Sequence, residues 1–286
     1  MSGTVCSSAI SGRVGRFPEA HPPMSGVGAD TWIMSGVVEI YEAGDEDSRL
    51  ATVSNHVEWE RTLELLQRWL PAAPARVVDV GGGPGRYAAW MAGRGYTVTL
   101  ADPVPKHIRQ ARDRGVDAFL ADARDLPFDD ASADAVLMAG PLYHLPDPAG
   151  RAAAMTEAVR CAAPGAVVIV AAMSRWAKPC VKSARGELQD PAVQDYLLRV
   201  LEHGHDPEGD QFDLVSYNHD PGELRQEMAA AGLNDVLVVG IEGPLGAEAR
   251  IDASLAGIAI RAARIAEVLA PHFSIHMLAR GVKPRA

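Results

Sequence analysis

The chain has 286 residues, a formal net charge of −10, 48% hydrophobic residues and 6% aromatic residues. This composition allows a large core and favours helices packed on a sheet over a β-sandwich. The acidic balance argues against a general nucleic-acid binder, which needs a basic stripe to displace phosphate counterions. No apolar run approaches the roughly 18 residues that span a bilayer, and the N-terminus lacks the pattern of a secretory signal. We therefore expect a soluble, cytoplasmic protein without a membrane partner.

Three cysteines, Cys6, Cys161 and Cys180, show neither metal-ligand nor redox spacing. Their odd number argues against a disulfide framework and agrees with a reducing compartment.

The first 35 residues are rich in Gly, Ser and Pro and lack periodicity, which predicts a disordered extension. Whether residues 1–33 belong to the functional protein is left open, because the motif MSG recurs at Met24 and Met34. Residues 36–286 are predicted to form one domain. Its first element is an amphipathic helix from Leu50 to Leu70.

From Arg76 onward, short apolar runs alternate with helical stretches. The predicted strands are Val77–Val80, Tyr96–Ala101, Val116–Ala121, Ala135–Ala139 and Ala166–Ala172. The predicted helices between them are 86–94, 104–114 and 147–161. Continuous apolar strands alternating with helices predict a parallel sheet covered on both faces.

The stretch 174–216 is less regular and is interpreted as an insertion with short helices on the substrate side. A helix is predicted to start after Asp220, with Pro221 at the first position and Glu223 completing a capping box. A strand near 236–241, a helix near 250–268 and a last strand near 273–280 complete the domain.

The sharpest local feature is the segment VVDVGGGPGRYAAW, residues 77–90. Its glycines allow the backbone to turn tightly and approach a ligand. The helix that follows presents free N–H groups to an anion. The segment alone does not name the ligand, because Gly83, Gly85 and Ala88 also satisfy a loose dinucleotide pattern. Asp79, however, places a carboxylate before the first glycine, where it can face an ammonium group that a dinucleotide lacks.

Two further acids follow the next two strands. Asp102 ends the second predicted strand, where a carboxylate can accept hydrogen bonds from ribose hydroxyls, although Asp102-Pro103 can also simply cap a helix. Asp122 follows the third strand, where an adenine amino group could donate to it. Both positions support a nucleoside without choosing among nucleoside cofactors.

Together, VVDVGGGPG, Asp102, ADARDLPF (121–128) and GPLYHL (140–145) resemble the class I S-adenosylmethionine-dependent methyltransferases. More narrowly, the chain is similar to the UbiE-like, methyltransferase type 11 proteins of actinobacteria over about residues 38–242. The segments YNHDPGEL (217–224) and GIEGP (240–244) resemble a late part of that group. After Pro244 the chain departs from the aromatic Gly-Trp stretch common among these relatives.

The resemblance implies a Rossmann-like α/β fold with a seven-stranded, mostly parallel sheet, an antiparallel last strand, and an N-terminal helical lid. It also implies a site for S-adenosylmethionine, with S-adenosylhomocysteine as the product. Asp79 and the glycine loop would hold the methionine moiety, Asp102 the ribose, Asp122 the adenine, and the loop after the fourth strand would lie beside the sulfonium. The expected cofactor contacts are Asp79, Gly81, Gly82, Gly83, Gly85, Asp102, Pro103, Asp122, Ala123, Ala139, Gly140 and the lid residues Tyr41 and Arg49.

His144 is the best candidate for a general base, with Tyr143 beside it, because a histidine suits proton transfer at neutral pH. The alternative is that both residues only shape the pocket. The candidate substrate contacts are Arg175, His203, His205, Tyr217 and His219. No metal is predicted, since His203 and His205 lack a third ligand at convincing spacing.

We therefore predict a methyltransferase that acts on an O, N or C nucleophile of a small molecule, in secondary metabolism. Methylation of a peptide or protein is the main alternative. A non-catalytic S-adenosylmethionine-binding protein and a nicotinamide oxidoreductase are further alternatives. A homodimer is left open.

Overall fold

The computed structural model describes residues 30–205 and 216–285. The strands in these two ranges are β1 Arg76–Val80, β2 Thr97–Asp102, β3 Asp117–Leu120, β4 Ala133–Met138, β5 Ala162–Ser174, β6 Asn218–His219, β7 Asn234–Gly240 and β8 His276–Val282. The α-helices are α1 Asp30–Ala43, α2 Glu46–Ala51, α3 His56–Trp69, α4 Arg86–Ala92, α5 Pro105–Asp113, α6 Pro148–Cys161, α7 Ala177–Ala184, α8 Pro191–His203, α9 Pro221–Ala230, α10 Gly246–Ile251 and α11 Ala256–Ala266.

The strands form one sheet in the order β3-β2-β1-β4-β5-β8-β7, and the short β6 pairs with β5 outside this path. Strands β1 to β5 are parallel to one another, whereas β8 runs antiparallel to both β5 and β7. The carboxyl ends of β1 to β5 and of β7 therefore meet the first residue of β8 at one edge of the sheet. The predicted fold class is confirmed, with β6 as an additional short pairing.

Two hydrophobic clusters cover the two faces of the sheet. Val78 and Val80 of β1 join the cluster that contains Met155 of α6 and Met228 of α9. Val77 belongs to the opposite cluster, which contains helical residues of α3, α4 and α5. This alternation explains why the strands are apolar along their whole length, since each face of the sheet is covered by helices.

Local sequence signals account for several helix boundaries. Asp220 caps α9, and Glu223 completes the predicted capping box. The predicted helix 250–268 is instead divided into α10 and α11. Asp252 interrupts it with an extended backbone, φ −122° and ψ 101°, while its side chain accepts a hydrogen bond from the Ser254 backbone N–H.

The N-terminal part begins differently from the prediction. Residues 1–29 of the predicted disordered extension lie outside the described residues, whereas α1 begins at Asp30. The predicted helix 50–70 begins at His56, because α2 ends at Ala51 and Thr52 is extended. The predicted insertion carries α7 and α8, and residues 206–215 of it lie outside the described residues.

Within the described ranges, no helix is both long enough and apolar enough to cross a membrane.

Candidate functional site

A cavity of about 1220 Å³, counting the part open to solvent, lies at the carboxyl edge of the sheet and is covered by α1 and α2. Its wall includes the loops after β1, β2, β3 and β4 and the first residue of β8. Most of the expected cofactor contacts line it, namely Gly81, Gly82, Gly83, Asp102, Pro103, Asp122, Ala123, Ala139, Gly140, Tyr41 and Arg49. Asp79 and Gly85 are not part of its wall.

The loop after β1 requires glycine for steric reasons. Gly81 has a φ of +67°, and a Cβ atom there would lie 2.5 Å from the Cδ atom of Pro141. At Gly82, a Cβ atom would lie 2.6 Å from Oδ2 of Asp79. The chain therefore passes between the Pro141 ring and the Asp79 carboxyl group with no room for a side chain.

Gly85 differs from the other predicted glycines. It is the cap residue before α4, and a Cβ atom there would lie 2.9 Å from the Cβ atom of Ala111 on α5. Gly85 therefore lies where α4 contacts α5 and not in the cavity wall, and its predicted contact with the cofactor stays a prediction.

Asp79 lies directly behind Gly82. It is fully buried, and neither of its carboxylate oxygens has a hydrogen-bond partner. Burial, together with the negative charge of Asp102, raises the pKa of Asp79 to about 7. A buried carboxyl group of this kind is stabilised in its charged form by a nearby cation. Asp79 therefore favours positive charge in the cavity through its electric field rather than through contact.

Asp102 is held by three hydrogen bonds. Its Oδ2 accepts from the Gly83 backbone N–H at 2.9 Å, and its Oδ1 accepts from the Val104 N–H at 2.9 Å. His107 Nδ1 donates to Oδ1 at 3.0 Å. Since each carboxylate oxygen offers about two acceptor positions, Oδ1 is filled and Oδ2 keeps one. This geometry leaves Asp102 able to accept one ligand hydroxyl, which narrows the prediction that it binds both ribose hydroxyls.

Asp122 lines the cavity but is engaged by Arg124. The Arg124 side chain donates to Oδ1 at 3.0 Å and to Oδ2 at 2.7 Å, and its backbone N–H donates to Oδ1 at 2.8 Å. Burial alone would raise the pKa of Asp122, but these contacts lower it below its usual range. Only Oδ2 retains an acceptor position for an amino group, so the adenine contact stays a prediction.

His144 and Tyr143 lie in the short 3-10 helix after β4, and both line the cavity. The Tyr41 hydroxyl contacts His144 Nε2 at 3.0 Å, whereas His144 Nδ1 is buried without a partner. Burial lowers the pKa of His144 to about 4, against the opposing charge of Asp102. The ring is therefore neutral at neutral pH, and its Nε2 is engaged by the Tyr41 hydroxyl. This geometry fits the pocket-shaping alternative better than a general base.

Helices α1 and α2 form the predicted lid, and charged groups attach them to the sheet domain. Glu42 Oε1 accepts from the Lys106 backbone N–H at 2.7 Å, and Asp47 accepts from Arg114 at 2.6 Å. Arg49 pairs with Glu46 at 2.7 Å and lies 3.4 Å from Glu58. Burial alone would lower the pKa of Arg49, but these two carboxylates raise it.

None of the predicted substrate contacts is part of the cavity wall, so their role in substrate binding stays a prediction. Tyr217 packs its ring 3.7 Å from the guanidinium carbon of Arg151, and its backbone N–H donates to the Tyr143 carbonyl at 2.8 Å. His219 is fully buried, and its Nε2 pairs with Glu227 at 3.2 Å. These groups support the loop after β4 from behind, because Arg151 also donates to the Leu145 and Pro146 carbonyls.

The other three expected substrate contacts are also absent from the cavity wall. Arg175 donates to Glu223 at 2.6 Å. His203 lies at the end of α8 with its side chain 54% exposed, and His205 follows just after it. The density of polar residues in this stretch reflects ion pairs within it and solvated surface.

The sequence analysis missed a group of residues at the cavity: Glu58 and His276, which line it, and the buried Glu242 beside them. Their ligand-type atoms lie within 4.8 Å of one another. The group is assembled from α3, the residues after β7 and the start of β8. Arg250 donates to Glu58 at 2.8 Å and lies 3.4 Å from Glu242, so a guanidinium already occupies the cationic position between the two carboxylates.

Comparison with known proteins places these features in a family. Residues 78–170 match the family model described as a methyltransferase domain. An uncharacterized methyltransferase of Mycobacterium tuberculosis is 39% identical over 105 residues, which is 36% of this chain and 41% of that protein. A demethylmenaquinone methyltransferase of Clavibacter sepedonicus is 30% identical over 169 residues, which is 57% of this chain and 66% of that protein.

Solved structures share the architecture. The N-methyltransferase NodS of Bradyrhizobium japonicum, solved with S-adenosyl-L-homocysteine, superposes with a TM-score of 0.55 at 17% identity, covering 87% of this chain and 98% of NodS. This likeness shows the fold.

The chain carries a class I S-adenosylmethionine-dependent methyltransferase domain, as the motif resemblance implied. The matched segments span 41% of the mycobacterial relative and 66% of the Clavibacter relative, so each relative contains a further part that the match does not cover.

Proposed function

We propose that the chain binds S-adenosylmethionine in the cavity and transfers its methyl group to an O, N or C nucleophile of a small molecule, in secondary metabolism. The observation that carries this proposal is the buried, unpartnered Asp79 carboxyl group behind the glycine loop. A dinucleotide would bring its anionic pyrophosphate to this loop, which would keep Asp79 protonated and would gain no attraction from it. The ammonium and sulfonium groups of S-adenosylmethionine are attracted by the field of Asp79.

The described residues fit this cofactor. Gly81, Gly82 and Gly83 line the cavity with backbone alone, so a ligand can approach the main chain closely there. Asp102 Oδ2 keeps one acceptor position for a ribose hydroxyl. Ala139 and Gly140 supply backbone at the end of β4, where the reacting end of the cofactor would lie.

When bound, S-adenosylmethionine supplies an electrophilic methyl group. The chain's own part is to orient the acceptor in line with that group and to exclude water beneath the lid. Positioning of this kind can lower a barrier by roughly 7–11 kcal/mol.

A small acceptor is favoured over a peptide by the shape of the cavity. Beyond the glycine loop, its wall is formed by apolar side chains of several elements, among them Tyr87, Ala171, Ile241 and Leu278, and α1 and α2 cover it. Small-molecule sites are concave and mostly apolar in this way.

The cofactor assignment is tested by Asp102→Ala. We expect S-adenosylhomocysteine, the product of the cofactor, to bind at least several-fold more weakly, since a charge-assisted hydrogen bond is lost. Calorimetry measures the affinity, and Asp117→Ala, an exposed aspartate at the start of β3, is the matched control. Equal affinity of Asp102→Ala and wild type would remove Asp102 from the binding site.

A further inference from the structure

Three histidines line the cavity, and their ring nitrogens differ in availability. His144 has Nε2 engaged by Tyr41 and Nδ1 buried. His107 has Nδ1 bound to Asp102 and Nε2 buried. His276 has Nδ1 bound to Glu242, and within the described residues its Nε2 has neither a hydrogen-bond partner nor complete burial. His276 is therefore the histidine whose second nitrogen is left to face the cavity.

Glu242 fixes the orientation of the His276 ring. Its Oε1 lies 2.6 Å from His276 Nδ1, and its Oε2 accepts from the His276 backbone N–H at 2.9 Å. The Ser274 hydroxyl donates to Oε2 at 2.8 Å. Glu242 is only 1% exposed, and although burial alone would raise its pKa, His276 and Arg250 lower it. In the neutral imidazole, the Glu242 carboxylate holds the ring hydrogen on Nδ1 and leaves the lone pair on Nε2, and the same contact stabilises the imidazolium that forms when Nε2 takes a proton.

The charges around His276 compensate one another only in part. Glu58 on α3 lies 3.8 Å from His276 Nδ1, and it is paired with Arg250 of α10 and approached by Arg49 of α2, which also pairs with Glu46. Glu46, Glu58 and Glu242 thus outnumber the two guanidinium groups by one negative charge. An anionic acceptor is therefore disfavoured here, and the apolar wall at Ile241 and Leu278 favours an uncharged body.

His276 lies on the side of the cavity away from the nucleoside residues. It pairs with Met173 of β5 in the sheet, whereas Asp102 and Asp122 follow β2 and β3 at the other side of β1. Leu278, two residues along β8, and Ile241 after β7 line the same part of the cavity. This part offers an apolar wall with one imidazole nitrogen in it.

We propose that His276, oriented by Glu242, is the base that accepts the proton of a hydroxyl-bearing, uncharged acceptor whose apolar body packs against Ile241 and Leu278. The inference rests on the proposed methyl transfer and names the acceptor class for it. The acceptor oxygen forms a bond to the methyl carbon as the bond from that carbon to sulfur breaks, with the electron pair left on sulfur. The hydroxyl proton passes to His276 Nε2, and Glu242 stabilises the imidazolium. Glu242 is thus a positioning residue.

The test uses 4-nitrophenol as a chromogenic probe of this class, added to the full chain saturated with S-adenosylhomocysteine. Phenolate absorbance is recorded against pH for wild type, His276→Ala, His276→Gln and Glu242→Gln. We expect the bound phenol to ionise about one pH unit or more lower in wild type than in either His276 variant, because the protonated imidazole stabilises phenolate. Glu242→Gln should fall between them.

The control is His203→Ala, which removes an exposed histidine outside the cavity and should match wild type. If His276→Ala does not fold, His276→Gln carries the comparison, since its amide cannot take the proton. Identical ionisation curves for wild type and the His276 variants, or no binding of the phenol to wild type, would overturn the proposal. A phenolate signal abolished by a chelator would also overturn it, and would indicate a metal at Glu58, Glu242 and His276.

S-adenosylhomocysteine affinity is measured on the same samples. Wild type that does not bind it contradicts the proposed function itself. Binding retained in all samples with unchanged phenol curves contradicts this inference alone.

Discussion

At the residue scale, Asp79 is a buried acid that lies close to the cavity without forming part of its wall. Its carboxyl group is buried behind Gly82 and has no hydrogen-bond partner, which is costly unless a cation compensates the charge. The protein without cofactor therefore contains a local source of instability that a positively charged ligand would relieve.

Asp79→Asn tests this interpretation through pH. The folded-state pKa of Asp79 is about 7, above the ordinary value of 3.8. The native state therefore keeps a proton that the unfolded state has lost, and wild-type stability should fall as pH rises from about 4 to about 7. Asparagine does not titrate, so the variant does not lose stability in this way. The free energy of unfolding of Asp79→Asn minus that of wild type should therefore increase over that range by on the order of 2–4 kcal/mol.

Denaturant unfolding at pH 5 and pH 8, without cofactor, measures the difference. Asp129→Asn, an exposed substitution of the same kind, should show none of it. If the variant is less stable than wild type by the same amount at both pH values, Asp79 does not have the raised pKa that the interpretation requires.

The positions of site residues were predictable where the residues lie in one short segment. Asp79 and Asp102 follow from the spacing of acids around the glycine loop. Glu58, Glu242 and His276 come from three distant segments and meet only through the strand order, so no local pattern marks them. The opposite error concerns Arg175 and His219, whose polarity suggested a substrate site although they pair with Glu223 and Glu227.

At the element scale, the lid formed by α1 and α2 is held by contacts with α4 and α5. Asp47 accepts from Arg114 through both oxygens and lies 3.6 Å from Arg86. Glu42 caps the start of α5 through the Lys106 N–H. Because Tyr41 and Arg49 line the cavity, the position of the lid and the occupancy of the cavity should be coupled.

Asp47→Asn should loosen the lid and weaken S-adenosylhomocysteine binding by less than about tenfold, because partly exposed ion pairs contribute at most about 1 kcal/mol. Hydrogen exchange of residues 36–49 should become faster in the absence of ligand. The matched control is Asp134→Asn, which removes the contacts of Asp134 with Arg76 at the opposite edge of the sheet. If both variants bind equally well, the lid contacts do not contribute to cofactor affinity.

The elements themselves were largely readable from periodicity. Apolar runs and the Asp-Pro caps located β1 to β5 and α9, since buried strands and capped helices leave local signals. The break between α10 and α11 is marked in the sequence only by Asp252. A single aspartate is also tolerated inside a helix, so the sequence did not predict the break.

At the scale of the whole molecule, the strand order determines what the cavity can do. Placing β4 and β5 between β1 and β8 puts the nucleoside-type acids on one side and His276 with its apolar surroundings on the other. One cavity can thus hold a methyl donor and an acceptor side by side. The resemblance implied seven strands and an antiparallel last strand, and the alternation of strands and helices predicts a parallel sheet, but neither fixes which strands are neighbours.

The central claim is that the glycine loop with Asp79 binds the methyl donor in preference to a dinucleotide. Calorimetric titration of the full chain with S-adenosylhomocysteine and, separately, with NAD tests it most directly. We predict micromolar binding of S-adenosylhomocysteine and no measurable binding of NAD. Tight NAD binding without S-adenosylhomocysteine binding would contradict the account.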